Sequence, residues 1–337
     1  MKNHIQKIKN GGNLNAAEIE KVMNLIMSGR ALPDDVAEFL LQLREKGPTV
    51  EEITAAARIM RKFVLKISTR HDVVLDTCGT GGDRQNTFNI STIAAFVVAG
   101  AGVVVAKHGN RSVSSRCGSA DLLEALGVNL NIEQEHLSEC LDEIGIAFMF
   151  AQKLHPAMKH VAQIRKELGV ETIFNILGPL TNPAMATHQM IGVYNRDLVL
   201  PVAQVLKNLG SKKAIVVHGS DGLDEVTTTG PTFVSEFNGH EILSYEIDPR
   251  ELKIELSHLE QLKGGDIKKN AEIARGILKG KKGPQRDIVV LNAACALYVA
   301  EMAKNIAQGI NLAGESIDSG EALDKLEALK EFTQSAL

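Results

Sequence analysis

Apolar and polar positions divide the chain near residue 70. Up to that point the apolar residues recur at helical spacing. Ile19, Val22, Met23 and Ile26 fall on one face of a segment that opens with Asn15-Ala-Ala-Glu18, in which Asn15 caps and Glu18 reaches back to it. Pro33 suits the first turn of a second helix that stops near Gly47, and Thr49-Val-Glu-Glu52 is a second capping box opening a helix to about Lys66. The spacing predicts a helical module without a strand.

From Asp72 the pattern changes to short β-branched runs alternating with helical periods, which is the mark of βαβ units around a mostly parallel sheet. Strands are expected over 73–76, 103–107, 146–150, 188–193 and 214–218, and helices over 90–99, 119–126, 133–144, 157–168 and 196–209. An antiparallel excursion of 227–237 and 241–247 turns at Asn238-Gly239, and the chain ends in helices near 266–278, 288–307 and 319–337. The turn-rich segment 174–183, with Gly178-Pro179 and Asn182-Pro183, reads as a bridge back to the helical module.

A length of 337 residues with 44% apolar composition fits two domains. The expected division is a helical domain at 1–70, joined by part of 165–190, and an α/β domain at 71–337. No apolar run is long enough to span a membrane and the first residues, 1–13, are polar, so a cytoplasmic protein is expected. A formal charge of −4 excludes the overall basicity of a generic nucleic-acid binder and leaves room for a local anion pocket. Cys78, Cys117, Cys140 and Cys295 show neither CxxC pairing nor metal-ligand spacing and read as reduced thiols, although Cys78 and Cys117 fall in chemically dense loops.

In open parallel sheets ligands bind beyond the carboxyl ends of the strands, so the segments after the expected strands are the candidate binding loops. The first is Gly79-Thr-Gly-Gly-Asp83, followed by Asn89-Ile-Ser-Thr92 at the start of an apolar helix. Glycines let backbone N–H groups approach an oxyanion, and a helix start offers donors with a positive dipole end. The segment matches neither a Walker A loop nor the dinucleotide fingerprint, and a plain tight turn explains it equally well on its own. The second, 107–119, carries Lys107, His108, Arg111 and Arg116 among glycines, hydroxyls and an amide, donors suited to phosphate. A solvated loop would account for that polarity but not for Lys107 ending an apolar run. The third, Gly222-Leu-Asp-Glu225, sets two carboxylates side by side after an apolar strand, where a divalent cation relieves their repulsion; a surface turn would also accommodate them. Phosphate cradle, cations and acids are expected at one end of one sheet.

On these residues, together with Lys107-His-Gly-Asn-Arg111, Gly118-Ser-Ala-Asp121 and the segment 174–183, the chain resembles the anthranilate phosphoribosyltransferase family over nearly its whole length. The resemblance implies a small all-helical N-terminal domain beside a large α/β domain with a mostly parallel central sheet, dimerisation through the helical part, and transfer of the 5-phosphoribosyl group from phosphoribosyl pyrophosphate (PRPP) to anthranilate in tryptophan biosynthesis. Carried over residue by residue, it implies PRPP contacts at Gly79, Gly82, Asp83, Thr87, Asn89, Ile90, Ser91, Thr92, Lys107, His108, Gly109, Asn110, Arg111, Ser112, Val113, Ser114, Ser115 and Ser119. It places Gly79, Asn110 and Arg165 at anthranilate, and Ser91, Asp224 and Glu225 at Mg²⁺, with about two ions per subunit. No covalent nucleophile is implied. Three positions depart from the family pattern: Arg84 stands where another glycine commonly follows, Cys117 where serine is common, and Leu154 precedes His155 where some members carry a His-His pair. A nucleoside phosphorylase of related fold and a non-catalytic nucleic-acid-binding relative are the rival classes.

Overall fold

Both capping boxes form in the computed structural model, which describes residues 1–112 and 117–335. Asn15 accepts the Glu18 N–H while Glu18 accepts that of Asn15, and Thr49 and Glu52 repeat the exchange. Each satisfies two donors that a helix start leaves unpaired, an effect of about 1 kcal/mol per cap. The resulting helices are α2 (Ala16–Met27), α3 (Pro33–Lys46) and α4 (Val50–Phe63). Ahead of them lies α1 (Lys2–Lys9), which the sequence reading left out; its polar surface hides two core residues, Ile5 and Ile8.

The α/β part follows in the order β1 (Leu75–Asp76), α5 (Ile90–Gly100), β2 (Val105–Gly109), α6 (Ser119–Leu126), α7 (Gln134–Glu143) and β3 (Ile146–Phe150). Next come the short α8 (Ala151–Leu154), α9 (Lys159–Leu168), α10 (Ile173–Leu177), β4 (His188–Gly192), α11 (Val199–Leu209) and β5 (Lys213–Gly219). The hairpin β6 (Thr232–Phe237) and β7 (Ile242–Ile247) precedes α12 (Ile267–Leu278), α13 (Pro284–Val299), α14 (Ile306–Asp318) and α15 (Glu321–Ser335). The expected helix over 288–307 is two helices, broken where Glu301 takes a left-handed backbone at φ 62°. The expected strand over 73–76 shortens to two residues, whereas β2 runs on to Gly109, so Lys107 and His108 belong to the strand and not to the loop after it. The bridge over 174–183 is largely ordered into α10 and a 3₁₀ turn at Pro179–Thr181.

The sheet order is β3-β2-β1-β4-β5-β6-β7, parallel from β3 to β5 and antiparallel beyond. β5 shows why its apolar run is continuous. Ile215 and Val217 enter one core, built with α5 and α13, while Ala214 and Val216 enter a second, built with α11 and the helical module. The second core also takes Ile173, Phe174, Ile176 and Leu177 of α10 and Val161 of α9, so that part of the chain packs with α1 to α4.

Candidate active site

β2 lies on one side of β1 and β4 on the other, so the chain reverses its direction of travel across the sheet at β1. A crevice at the carboxyl ends of β1 and β4 is the expected ligand position for such a topology. The glycine loop after β1 lies in it. The Thr80 N–H donates to the Gly192 carbonyl at the end of β4 (2.8 Å), and the Gly81 N–H donates to Asp224 Oδ2 (2.8 Å). A Cβ on Gly192 would lie 1.5 Å from the Asp224 carbonyl oxygen, and one on Gly79 would lie 3.0 Å from Asp224 Oδ2. Gly192 requires glycine because the backbone of the acid loop after β5 presses directly against it, and Gly79 is tightly packed against the Asp224 side chain.

Asp224 and Glu225 each show some surface to solvent, yet their carboxyl groups lie deep among protein atoms. Burial, reinforced by the neighbouring Asp83 charge, pushes Asp224 up to about 7. Burial and then Asp224 hold Glu225 well above the ordinary carboxylate range, and burial raises Asp83. The Ser91 N–H in the first turn of α5 donates to Glu225 Oε1 (3.2 Å), so this helix start already faces an acid. Carboxylates crowded in this way hold protons at neutral pH unless a cation replaces them. Ser91, Asp224 and Glu225 line one cavity, and their side-chain donors are hard oxygens that suit Mg²⁺.

Lys107 is 4% exposed, and its ammonium donates to the carbonyls of Thr77 (3.1 Å) and His108 (3.4 Å). The next residue, His108, meets His155 with Nε2 atoms 3.1 Å apart. Burial lowers both imidazoles, His155 to about 4, so the pair is neutral at pH 7. At the end of β1 lies Asp76, a fully buried acid that the sequence reading did not single out. Asp76, Cys78 and His108 bring one potential ligand atom each within 4.8 Å of one another. Asp76 already accepts two N–H groups there and the Lys107 charge acts on it, which disfavours a metal at that spot. None of the four cysteines is disulfide-bonded, and burial pushes the Cys78 thiol up to about 12, opposite to what a nucleophile needs.

The remaining sequence-named residues separate into groups. Asn89 donates to the Cys117 carbonyl (3.0 Å), Ile90 and Thr92 are buried in α5, and Thr87 pairs with Lys263 in an isolated bridge. Gly82 and Asp83 continue the glycine loop; Gly82 has φ 86° and Asp83 accepts the Gln85 N–H. Ser119 exchanges hydrogen bonds with the Asn110 backbone, and a Cβ on Gly109 would strike the Ser119 hydroxyl at 2.2 Å. Asn110 also accepts from Gln152 (3.2 Å). Arg111 is engaged with Asp121 and Glu124 of α6 and lies over the Phe150 ring. The Ser112 N–H donates to Asp121, while Val113, Ser114 and Ser115 lie outside the described residues. Arg165 stands on α9, hydrogen-bonded to Asn175 (3.3 Å) and stacked over Phe174 of α10. Arg84 takes φ 59°, the left-handed backbone a glycine would adopt without strain, and reaches Glu171 (3.3 Å). Arginine thus carries backbone strain that a glycine would not, and adds the contact with Glu171.

Residues 2–64 match the model of the glycosyl transferase family, helical bundle domain, and residues 71–323 that of the glycosyl transferase family, a/b domain. The anthranilate phosphoribosyltransferase of Acetivibrio thermocellus is 52% identical over 335 residues, 99% of this chain and 97% of that one. The chain belongs to the anthranilate phosphoribosyltransferase family. Family membership was legible in the motifs, and it brings the fold class with it. The enzyme of that name from Symbiobacterium thermophilum is 51% identical over 99% of this chain and 98% of its own. Among solved structures, the Thermus thermophilus anthranilate phosphoribosyltransferase superposes with a TM-score of 0.93 at 43% identity, covering 98% of this chain and 99% of that one. The Saccharomyces cerevisiae enzyme in complex with PRPP and Mg gives 0.88 at 30% identity, covering 96% of this chain and 94% of that one.

Proposed function

We propose that this chain transfers the 5-phosphoribosyl group of PRPP to anthranilate, giving N-(5′-phosphoribosyl)anthranilate and pyrophosphate in tryptophan biosynthesis. The observation that carries the reading is the meeting, in one crevice, of the glycine loop with Asp224, whose carboxylate accepts the Gly81 N–H. In a family of this name, that meeting supports reading the crevice as an anion cradle beside a cation site.

The anthranilate amine attacks C1 of the ribose as pyrophosphate departs, with inversion at that carbon. An aromatic amine is neutral near pH 7, so no proton has to leave it before attack; the nitrogen sheds one proton to solvent once its bond to C1 has formed. Its residues act by positioning and by stabilising negative charge on the leaving group. Lys107 supplies a fixed positive charge, and the backbone N–H groups of Gly79, Gly82 and the Asn89 to Thr92 turn supply donors. Asp83, Thr87, His108 to Ser115 and Ser119 complete the PRPP contacts of this reading. Ser91, Asp224 and Glu225 would hold Mg²⁺, two ions per subunit, which neutralises pyrophosphate charge when bound. Gly79, Asn110 and Arg165 receive anthranilate, the Arg165 guanidinium matching its carboxylate as a fork. The same reading has a homodimer in the cytoplasm, formed through the helical domain of residues 1–70 with part of 165–190, beside an α/β domain of 71–337. No described helix is long and apolar enough to cross a membrane.

The test follows the loss of anthranilate fluorescence on adding PRPP and Mg²⁺ to the purified protein, with thymidine and phosphate in a parallel reaction. Consumption of anthranilate is expected. Silence there with phosphorolysis in the parallel reaction would reverse the reading.

A further inference from the structure

At the carboxyl end of β1, Asp76 is fully buried, and each of its oxygens holds a donor from a different part of the chain. Oδ1 accepts the His108 N–H of β2 (3.1 Å), and Oδ2 accepts Nδ2 of Asn182 (2.7 Å), which comes from the segment that follows α10. Asn182 cannot turn its amide over without loss. Its Nδ2 also donates to the Ala106 carbonyl (2.8 Å) and its Oδ1 accepts the Ala184 N–H (2.8 Å). Position 76 therefore needs an acceptor on both sides, which a carboxylate provides and an amide does not.

Lys107 sits between these bonds, since it precedes His108 and follows Ala106. Its ammonium is buried against carbonyls, and among the described residues no carboxylate reaches it within ion-pair distance. A buried ammonium needs compensating charge from its surroundings. The titratable groups whose fields meet it are Asp76 from β1, Cys78 from the glycine loop, Glu225 from the loop after β5 and His108 from its own strand. Cys78 and His108 are uncharged at pH 7, as described above. Glu225 belongs to the crowded acid group. Asp76 alone combines a negative charge with fixed hydrogen bonds on both sides.

We infer that Asp76 is a positioning residue for the transfer: held by Asn182 and the His108 N–H, its carboxylate supplies the counter-charge that keeps Lys107 fixed at the mouth of the glycine loop. The inference rests on the proposed PRPP site. It ties the segment after α10, which leads back to the helical core, to the cation that faces pyrophosphate.

Calorimetric titration of pyrophosphate with Mg²⁺, together with KM for PRPP and for anthranilate at pH 8, tests it on the full chain. Asp76→Asn is expected to weaken pyrophosphate binding and raise KM for PRPP by about tenfold or more, because a buried hydrogen-bonded charge is lost, with KM for anthranilate little changed. Lys107→Met weakens binding as well, and the double variant binds no worse than Lys107→Met alone, because Asp76 acts through Lys107. Singles that multiply in the double variant, or Asp76→Asn within about twofold of the unaltered protein, would overturn the proposal. If Asp76→Asn does not fold, Asn182→Ala carries the test, with an expected rise in KM for PRPP of about threefold or more. An unchanged value there would also overturn it. If the unaltered protein neither binds pyrophosphate nor consumes anthranilate, the proposed function fails and not the link between Asp76 and Lys107.

Discussion

Two sets of acids sit at the carboxyl ends of the same parallel strands and are treated oppositely. Burial raises Asp76 to about 6, but the Lys107 charge and an N–H on each carboxylate oxygen hold it below neutrality. Asp83, Asp224 and Glu225 face one another: Asp224 accepts the Gly81 N–H and shares a hydrogen bond with Asp83, and Glu225 accepts the Ser91 N–H. The first arrangement is satisfied within the chain and acts as scaffold. The second is left to balance by protons or by a cation, which marks a place where a ligand changes the energy.

The contrast breaks most clearly if the crowded acids are neutralised. Asp224→Asn with Glu225→Gln should reduce Mg²⁺-dependent turnover by about a hundredfold or more, since a metal clamp contributes several kcal/mol to transition-state stabilisation. The same variant should unfold at a higher temperature than the unaltered protein when both lack metal, because repulsion between buried acids is gone. Turnover that survives, or an unchanged midpoint in a thermal scan, removes the distinction between the two sets. Next in size is Gly192→Ala. Its Cβ would occupy the position of the Asp224 carbonyl, so the acid loop must shift, at a cost of about 1–3 kcal/mol. Urea unfolding gives the loss of stability, and calorimetry should show weaker Mg²⁺ binding.

A third measurement sharpens the comparison through pH. Asp224 lies at about 7 in the folded chain, against an ordinary value of 3.8, so the folded state holds its proton more tightly than the unfolded state does. The metal-free protein should therefore lose that contribution to stability as pH rises from about 4 through about 7. Mg²⁺ displaces the protons, so its affinity should rise over the upper part of this window by up to about tenfold per pH unit for each proton released. Titrations in buffers of different ionisation enthalpy count the protons directly. An affinity flat between pH 6 and 8 would show that the acids are already ionised without metal.

The smallest effect is expected at Arg84→Gly. Glycine relieves the left-handed strain and loses the exposed contact with Glu171, while gaining freedom in the unfolded chain, so stability should move by less than about 1 kcal/mol. A large change in PRPP affinity would mean that the glycine loop depends on that contact to close.

Much of this was legible in the chain itself. The capping boxes at Asn15 and Thr49 are local exchanges, set by residues three apart, and the helices start where the boxes place them. The alternating fields of β5 read as one apolar run because both of its faces are buried. Glycine, cation and acid segments stood out because each breaks the pattern around it. Other features left no such mark. α1 carries two buried residues in a polar stretch, too few for periodicity to register. β2 was expected to end at Lys107, because a lysine in a buried strand contradicts local propensity; its ammonium is accommodated there by the Thr77 carbonyl, which comes from another strand end, and by the His108 carbonyl.

Sequence alone determined most of the elements, the mostly parallel sheet and the family, because periodicity, caps and contiguous motifs are properties of neighbouring residues. Tertiary structure decided which of the polar residues share a charge environment. Asn182 reaches Asp76 across 106 positions and Gly81 reaches Asp224 across 143, and no local rule couples residues so far apart. Whether a carboxylate is scaffold or ligand site depends on the donors that surround it, and only the folded chain brings those donors within hydrogen-bonding distance.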